Sequence, residues 1–142
     1  MVEASVMVVD DSPADRLLMR AAFARLGQPV PLIEAEGGTS ALALLEEQAK
    51  HGRLPSVVLL DIRMPDIDGL EVLQRLRDDP QTRLLPVVIL STSGHPTDVR
   101  RAFELGSNAY AVKPDTLAEL DETLSSILSV FSQHSPYTVT QA

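Results

Sequence analysis

The sequence predicts an α/β fold: a doubly wound, five-stranded parallel sheet held between helices, three layers αβα in all. Three observations carry the prediction. Short segments rich in Val, Ile and Leu recur at residues 6–10, 30–35, 57–61, 87–91 and 109–113. Their hydrophobicity is continuous rather than alternating, as expected of strands covered on both faces. The stretches between them carry helical patterns and are long enough for the crossovers that parallel neighbours require.

Taken in order, each element has its own punctuation. The first strand runs into Asp10-Asp11, and Ser12-Pro13 then supplies an N-cap and a proline at the first helical position. Gly27 is expected to close that helix. Gly37-Gly38 separates the second strand from a helix with the apolar stripe Leu42, Leu45 and Ala49. The third strand ends at Asp61, and a helix from about 69 to 77 buries Leu70, Leu73 and Leu76 before the breaker Asp79-Pro80. The fourth strand ends at Ser91. Pro96-Thr97 opens and Gly106 ends a short helix holding Val99, Ala102, Phe103 and Leu105. The fifth strand ends at Lys113.

From Asp115 the chain reads as a last helix with Leu117, Leu120, Leu124, Ile127 and Phe131 at 3-4-3-4 spacing. This stripe is one face packed on the sheet, or it also meets the same helix of a second copy in a homodimer. Val130 and Phe131 lie where sheet cover runs out. The expected organisation is one domain at 1–131 and a C-terminal tail at 132–142 without periodicity.

Composition narrows the function. At 142 residues the chain is the length of one domain. Twelve basic against twenty acidic side chains give a net charge of −8, which argues against nucleic acid, whose phosphates need a basic footprint. There is no cysteine, so disulfides and thiolate metal sites are excluded. No apolar run approaches the ~20 residues of a membrane span, and the first residues lack the pattern of a signal peptide. A cytoplasmic protein with no membrane partner is expected.

In doubly wound sheets ligands bind beyond the carboxyl ends of the strands. Asp10, Asp11, Asp61, Ser91 and Lys113 all fall there. An Asp-Asp pair alone is an ordinary strand-end turn, but crowded carboxylates repel one another unless a cation joins them. Oxygen-only ligands with room for water suit Mg²⁺. Asp61 has the chemistry of a ligand and of a nucleophile, since carboxylates form acyl phosphates. Lys113 offers a point charge and Ser91 a hydroxyl to phosphoryl oxygens. Phosphoryl transfer asks for little beyond in-line positioning and charge neutralisation.

Four segments, Val8-Val9-Asp10-Asp11-Ser12, Leu60 to Gly69 (LDIRMPDIDG), Pro86 to Ser91 (PVVILS) and Gly106 to Pro114 (GSNAYAVKP), stand in this order. Together they resemble the receiver domain of two-component response regulators, from about residue 5 to 131, in its stand-alone, CheY-like form. The resemblance implies a flavodoxin-like strand order 2-1-3-4-5. It makes Asp61 the phosphoacceptor, Asp10 and Asp11 the acid pair for Mg²⁺, and Arg63 a metal ligand through its main-chain carbonyl. It makes Ser91 the switch hydroxyl, Lys113 the phosphate-sensing lysine and Tyr110 the aromatic switch, and it implies a cis Lys113–Pro114 bond. The expected partner is a sensor histidine kinase, and the expected output is a change in the face of the fourth helix, fifth strand and fifth helix. The only chemistry expected is the domain's own phosphoryl transfer and autodephosphorylation, so the chain is not an enzyme acting on other substrates.

Two positions depart from the family pattern. Asp115 replaces an apolar residue after Pro114 and reads as a helix N-cap, and Thr92 is bulkier than the Ala or Gly usual beside the hydroxyl. The Leu90-Ser91-Thr92-Ser93 strand end, the acidic charge, and Val130-Phe131 followed by Ser135-Pro136 are similar to regulators that accompany phytochrome-type histidine kinases.

Competing readings are weaker on the residues. An aspartyl-phosphate hydrolase of the haloacid-dehalogenase kind needs an Asp two residues after the nucleophile, where Arg63 stands. The loop Asp11 to Asp15 is acidic where a flavin phosphate cradle should be neutral or basic. A phosphorylation-independent adaptor on the same fold is the remaining alternative.

Overall fold

The computed structural model describes residues 5–131, so the expected tail at 132–142 lies outside the described residues. Strands and helices alternate: β1 (Val6–Val9), α1 (Pro13–Ala24), β2 (Leu32–Ala35), α2 (Gly38–Lys50), β3 (Val57–Leu60), α3 (Gly69–Asp78), β4 (Val87–Ser91), α4 (Pro96–Glu104), β5 (Ala109–Val112) and α5 (Leu117–Phe131). The strands form one sheet in the order β2-β1-β3-β4-β5, and every pairing is parallel. This is the doubly wound, flavodoxin-like arrangement.

Two-residue periodicity divides the core. Successive side chains of a strand point to opposite faces. Met7 and Val9 of β1, Val58 and Leu60 of β3, and Val87 and Ile89 of β4 meet α2, α3 and α4 on one side. Val6, Val8, Val57, Leu59, Val88 and Leu90 meet α1 and α5 on the other. The central strands β1, β3 and β4 are buried along their whole length, whereas β2 and β5 are only partly covered, as edge strands should be. Leu73 and Leu124 anchor the two helical layers with no exposed surface. Each such burial contributes about 1.5–3 kcal/mol relative to leaving the side chain in water.

Several boundaries differ from those read in the sequence, each for a local reason. β2 begins at Leu32 because Pro31 has no N–H for a ladder, and its carbonyl instead accepts from the Val6 N–H at 3.0 Å. α1 ends at Ala24 with Arg25 as its cap, before Gly27 is reached. α5 is capped by Thr116, whose Oγ1 accepts from the Glu119 N–H at 3.1 Å, rather than by Asp115. α4 ends as expected: Gly106 turns back with φ of 101°, a conformation that side chains with a Cβ avoid.

The last helix sorts its stripe into two parts. Leu120, Leu124 and Ile127 are buried on the sheet, Leu117 is half exposed, and Phe131 packs partly against the same cluster. Phe103 of α4, grouped with the apolar face in the sequence, is 50% exposed, so Ala102 is the residue of that helix that enters the core.

Candidate functional site

Register delivers the site. β1 and β3 pair Val9 with Leu60, so the next residues, Asp10 and Asp61, leave the sheet side by side. The Asp61 N–H donates to the Val9 carbonyl at 3.0 Å and the Asp10 N–H to that of Ala35 at 3.1 Å, which holds both main chains at the sheet edge. β4 and β5 pair Ser91 with Val112, and the Lys113 N–H donates to the Ser91 carbonyl at 2.7 Å. Four strand ends therefore place Asp10, Asp61, Ser91 and Lys113 at one edge.

Carboxylate oxygens of Asp10, Asp11 and Asp61 lie within 4.8 Å of one another. Asp10 and Asp61 are buried. Each has one oxygen fixed by a main-chain donor: Asp10 Oδ1 accepts from Ser12 N–H at 2.9 Å, and Asp61 Oδ1 from Ile62 N–H at 2.8 Å. The other oxygens converge on the Lys113 ammonium. Its Nζ lies 2.8 Å from Asp10 Oδ2, 2.8 Å from Asp15 Oδ2 and 3.3 Å from Asp61 Oδ2.

The two partners of the Lys113–Asp61 pair shift in the same direction. Burial raises the Asp61 carboxyl above its ordinary value; the Lys113 charge opposes this and the Asp10 charge reinforces it. Burial works to lower Lys113, but hydrogen bonds to Asp10 and Asp15 with the Asp61 charge outweigh it, and the ammonium is held well above its usual range. Three carboxylates over-supply Lys113 with counter-charge, whereas Asp61 receives only a share of one cation, too little to offset its burial.

The oxygen donors fit a hard divalent cation. Carboxylates at this spacing, with part of their shell open to solvent, are the ligand set that Mg²⁺ or Mn²⁺ takes. A cavity of about 190 Å³ opens beside them, lined among others by Asp10, Asp15, Asp61, Thr92, Lys113 and Leu120.

The loop after β3 is built to hold Asp61 still. A Cβ on Gly69 would stand 2.0 Å from the Asp61 carbonyl oxygen, so only glycine allows α3 to start against the Asp61 main chain. The Gly69 N–H closes the loop onto the Ile62 carbonyl at 2.7 Å. Asp66 reaches across to cap α2, accepting from Thr39 N–H at 2.8 Å and Gly38 N–H at 3.3 Å. Hydrogen bonds from the Thr39 and Ile67 main chain hold the Asp66 carboxyl far below the ordinary carboxylate range. Arg63 points out to solvent, and its guanidinium reaches Asp98 at 3.2 Å.

Ser91 is fully buried, and its Oγ accepts from the Ser93 N–H at 3.2 Å. Ser93 is a junction. Its hydroxyl donates to Asp98 Oδ2 at 2.5 Å, and its carbonyl accepts from the Tyr110 hydroxyl at 2.5 Å. The Ser93 hydroxyl, with Arg63, holds the Asp98 carboxyl below its usual value. His95 caps α4 through Nδ1, which accepts from Thr97 N–H at 3.2 Å.

Asp10, Asp11, Asp61 and Lys113 are thus brought together, with Ser91 on the same edge and Tyr110 linked to it through Ser93. The Lys113–Pro114 bond, expected cis, is trans, and no peptide bond among the described residues is cis. Trans is the lower form of such a bond by about 0.5–1 kcal/mol, and Lys113 reaches all three carboxylates from it. The contacts of Asp15, Ser93, Asp98 and Asp66 are not legible in the sequence. Asp15 meets Lys113 across 98 residues of chain, a contact that only the fold reveals.

Known proteins share this fold. The family model for the response regulator receiver domain matches residues 6–125. The probable methanogenesis regulatory protein FilR2 of Methanothrix harundinacea is 37% identical over 123 residues, covering 86% of this chain and 79% of that protein. The phosphorylated cyanobacterial phytochrome response regulator RcpA superposes with a TM-score of 0.81 at 30% identity, covering 92% of this chain and 94% of RcpA. The Mn²⁺-bound form of response regulator Rcp1, a Synechocystis protein, gives 0.79 at 31% identity over 92% and 96%. The chain belongs to the response regulator receiver domain family.

Proposed function

We propose that this chain is a single-domain response regulator of a two-component phosphorelay, accepting a phosphoryl group on Asp61 from the phosphohistidine of a sensor histidine kinase. The observation that carries the reading is the convergence of Asp10, Asp11 and Asp61 within 4.8 Å beside the Lys113 ammonium. A carboxylate whose Oδ1 is pinned by the Ile62 N–H keeps its orientation toward an incoming phosphorus. In the transfer, an Asp61 oxygen attacks phosphorus as the bond to the imidazole nitrogen breaks, and that electron pair stays with the imidazole. The product is an acyl phosphate on Asp61.

Asp10, Asp11, Asp61 and the Arg63 carbonyl would hold Mg²⁺, which when bound neutralises the clustered carboxylates and the phosphoryl oxygens. The Mn²⁺ held by Rcp1 supports that assignment. Lys113 supplies the remaining positive charge. Ser91 moves its hydroxyl toward the new phosphoryl group and gives up the Ser93 N–H. Ser93 in turn carries Asp98 at the start of α4 and Tyr110 on β5, so the α4–β5–α5 face is the surface altered for a downstream protein. The acid cluster and Lys113 are the parts that an adaptor independent of phosphorylation would not need.

A phytochrome-type kinase is the proposed partner, supported by the likeness to RcpA. A homodimer through α5 would use what the sheet leaves uncovered, Leu117 and Val130, both about half exposed, together with Phe131. No helix among the described residues is long and apolar enough to cross a membrane.

The test is phosphotransfer. A phytochrome-type histidine kinase carrying labelled phosphohistidine should pass the label to this chain in Mg²⁺ and not to Asp61→Asn. If the label stays on the kinase while a small phosphodonor still modifies Asp61, the kinase assignment fails and the acceptor assignment stands.

A further inference from the structure

We infer that Asp15 is a positioning residue that holds Lys113 in the resting state and competes with the phosphoryl group for its ammonium. The inference rests on the reading of Asp61 as phosphoacceptor. Asp15 stands in the first turn of α1, where its N–H donates to the Ser12 Oγ at 3.2 Å. Its Oδ2 is 2.8 Å from Lys113 Nζ, as close as Asp10 Oδ2 and closer than Asp61 at 3.3 Å.

Asp15, unlike the other two, is outside the carboxylate cluster that suits a cation. When a divalent ion takes charge of Asp10 and Asp61, their hold on Lys113 weakens because their charge is shared with the ion. Asp15 loses nothing to the ion and becomes the strongest remaining acceptor for the ammonium. The Lys113 side chain is only 17% exposed, so water competes poorly for it, while Asp15 at 37% is anchored at a helix start that favours its charge. Lys113 must leave Asp15, or share itself with it, to reach a phosphoryl oxygen. Asp15 therefore sets how readily the site closes on phosphate.

The test uses beryllofluoride, the tetrahedral BeF₃ group that adds to a carboxylate oxygen, titrated in Mg²⁺ and read by ¹⁹F NMR. Asp15→Asn keeps the size of the side chain and should tighten beryllofluoride binding by roughly 3- to 10-fold, as expected for a site–site coupling of this kind. Removing any negative charge near an anion site would act in the same sense, so the titration is repeated with Lys113→Ala. If Asp15 acts through Lys113, Asp15→Asn has no further effect in that background.

Equal tightening with and without Lys113 would overturn the inference in favour of a plain field effect. Weaker or unchanged binding in Asp15→Asn would overturn it too, while leaving the acceptor reading intact if the unaltered chain binds. Failure of the unaltered chain to bind beryllofluoride at all would remove both.

Discussion

Tyr110 donates its hydroxyl to the main-chain carbonyl of Ser93 at 2.5 Å, tying β5 to the loop that leads from the site into α4. The bond joins an edge strand to a loop that also holds the buried Ser91 hydroxyl. Tyr110→Phe removes the donor and leaves the half-buried ring in place. Loss of one such bond costs about 0.5–1.5 kcal/mol, and the urea midpoint should fall accordingly with an unchanged slope.

The charge on Asp61 is a liability until a cation arrives. Its carboxyl is raised by burial, with Lys113 opposing and Asp10 adding to the shift. A folded value above the unfolded one means that the native state holds the proton more tightly. The stabilisation it brings is complete below the unfolded value of ~4 and is lost as pH rises through the folded value. At neutral pH without divalent ions, Asp61→Asn should therefore unfold at higher urea than the unaltered chain, and the gap should narrow as pH falls. Mg²⁺ should reverse the ranking, because a ligand at 100 times its Kd adds ~2.7 kcal/mol to the form that binds it.

Gly69 is predicted to tolerate no side chain. Its added Cβ would meet the Asp61 main-chain carbonyl oxygen at 2.0 Å, with no flexible side-chain end to yield. Gly69→Ala should lose at least the ~1–3 kcal/mol typical of overpacking and should slow acyl-phosphate formation, since relief requires parting the start of α3 from the Asp61 main chain. Chemical denaturation and the modification rate with acetyl phosphate check the two halves separately.

The reason so much was legible lies in which residues are read locally. Each strand is a continuous apolar run because both its faces are covered, and each ends in a polar residue whose neighbour in space is set by register. Asp10 beside Asp61 follows once Val9 is opposite Leu60. Contacts that depend on reach rather than register stayed hidden. Asp15 reads only as part of the acidic loop after the first strand, and its meeting with Lys113 needs α1 to be docked on the sheet. Asp66 and Thr39 are 27 residues apart, and only the closed β3–α3 loop aims that carboxylate at the start of α2. The apolar stripe of α5 was ambiguous between sheet and partner for a similar reason: periodicity says which side chains share a face, but not what covers it. Leu120, Leu124 and Ile127 turn out to be core.

The central claim is that Asp61 accepts a phosphoryl group with the help of a divalent cation, and intact mass tests it most directly. The chain is incubated with acetyl phosphate, with and without Mg²⁺, alongside Asp61→Asn. A single phosphoryl adduct that requires Mg²⁺ and is absent from the variant is the predicted result. An adduct that persists in Asp61→Asn, or none in the unaltered chain under any divalent ion, would contradict the assignment of Asp61.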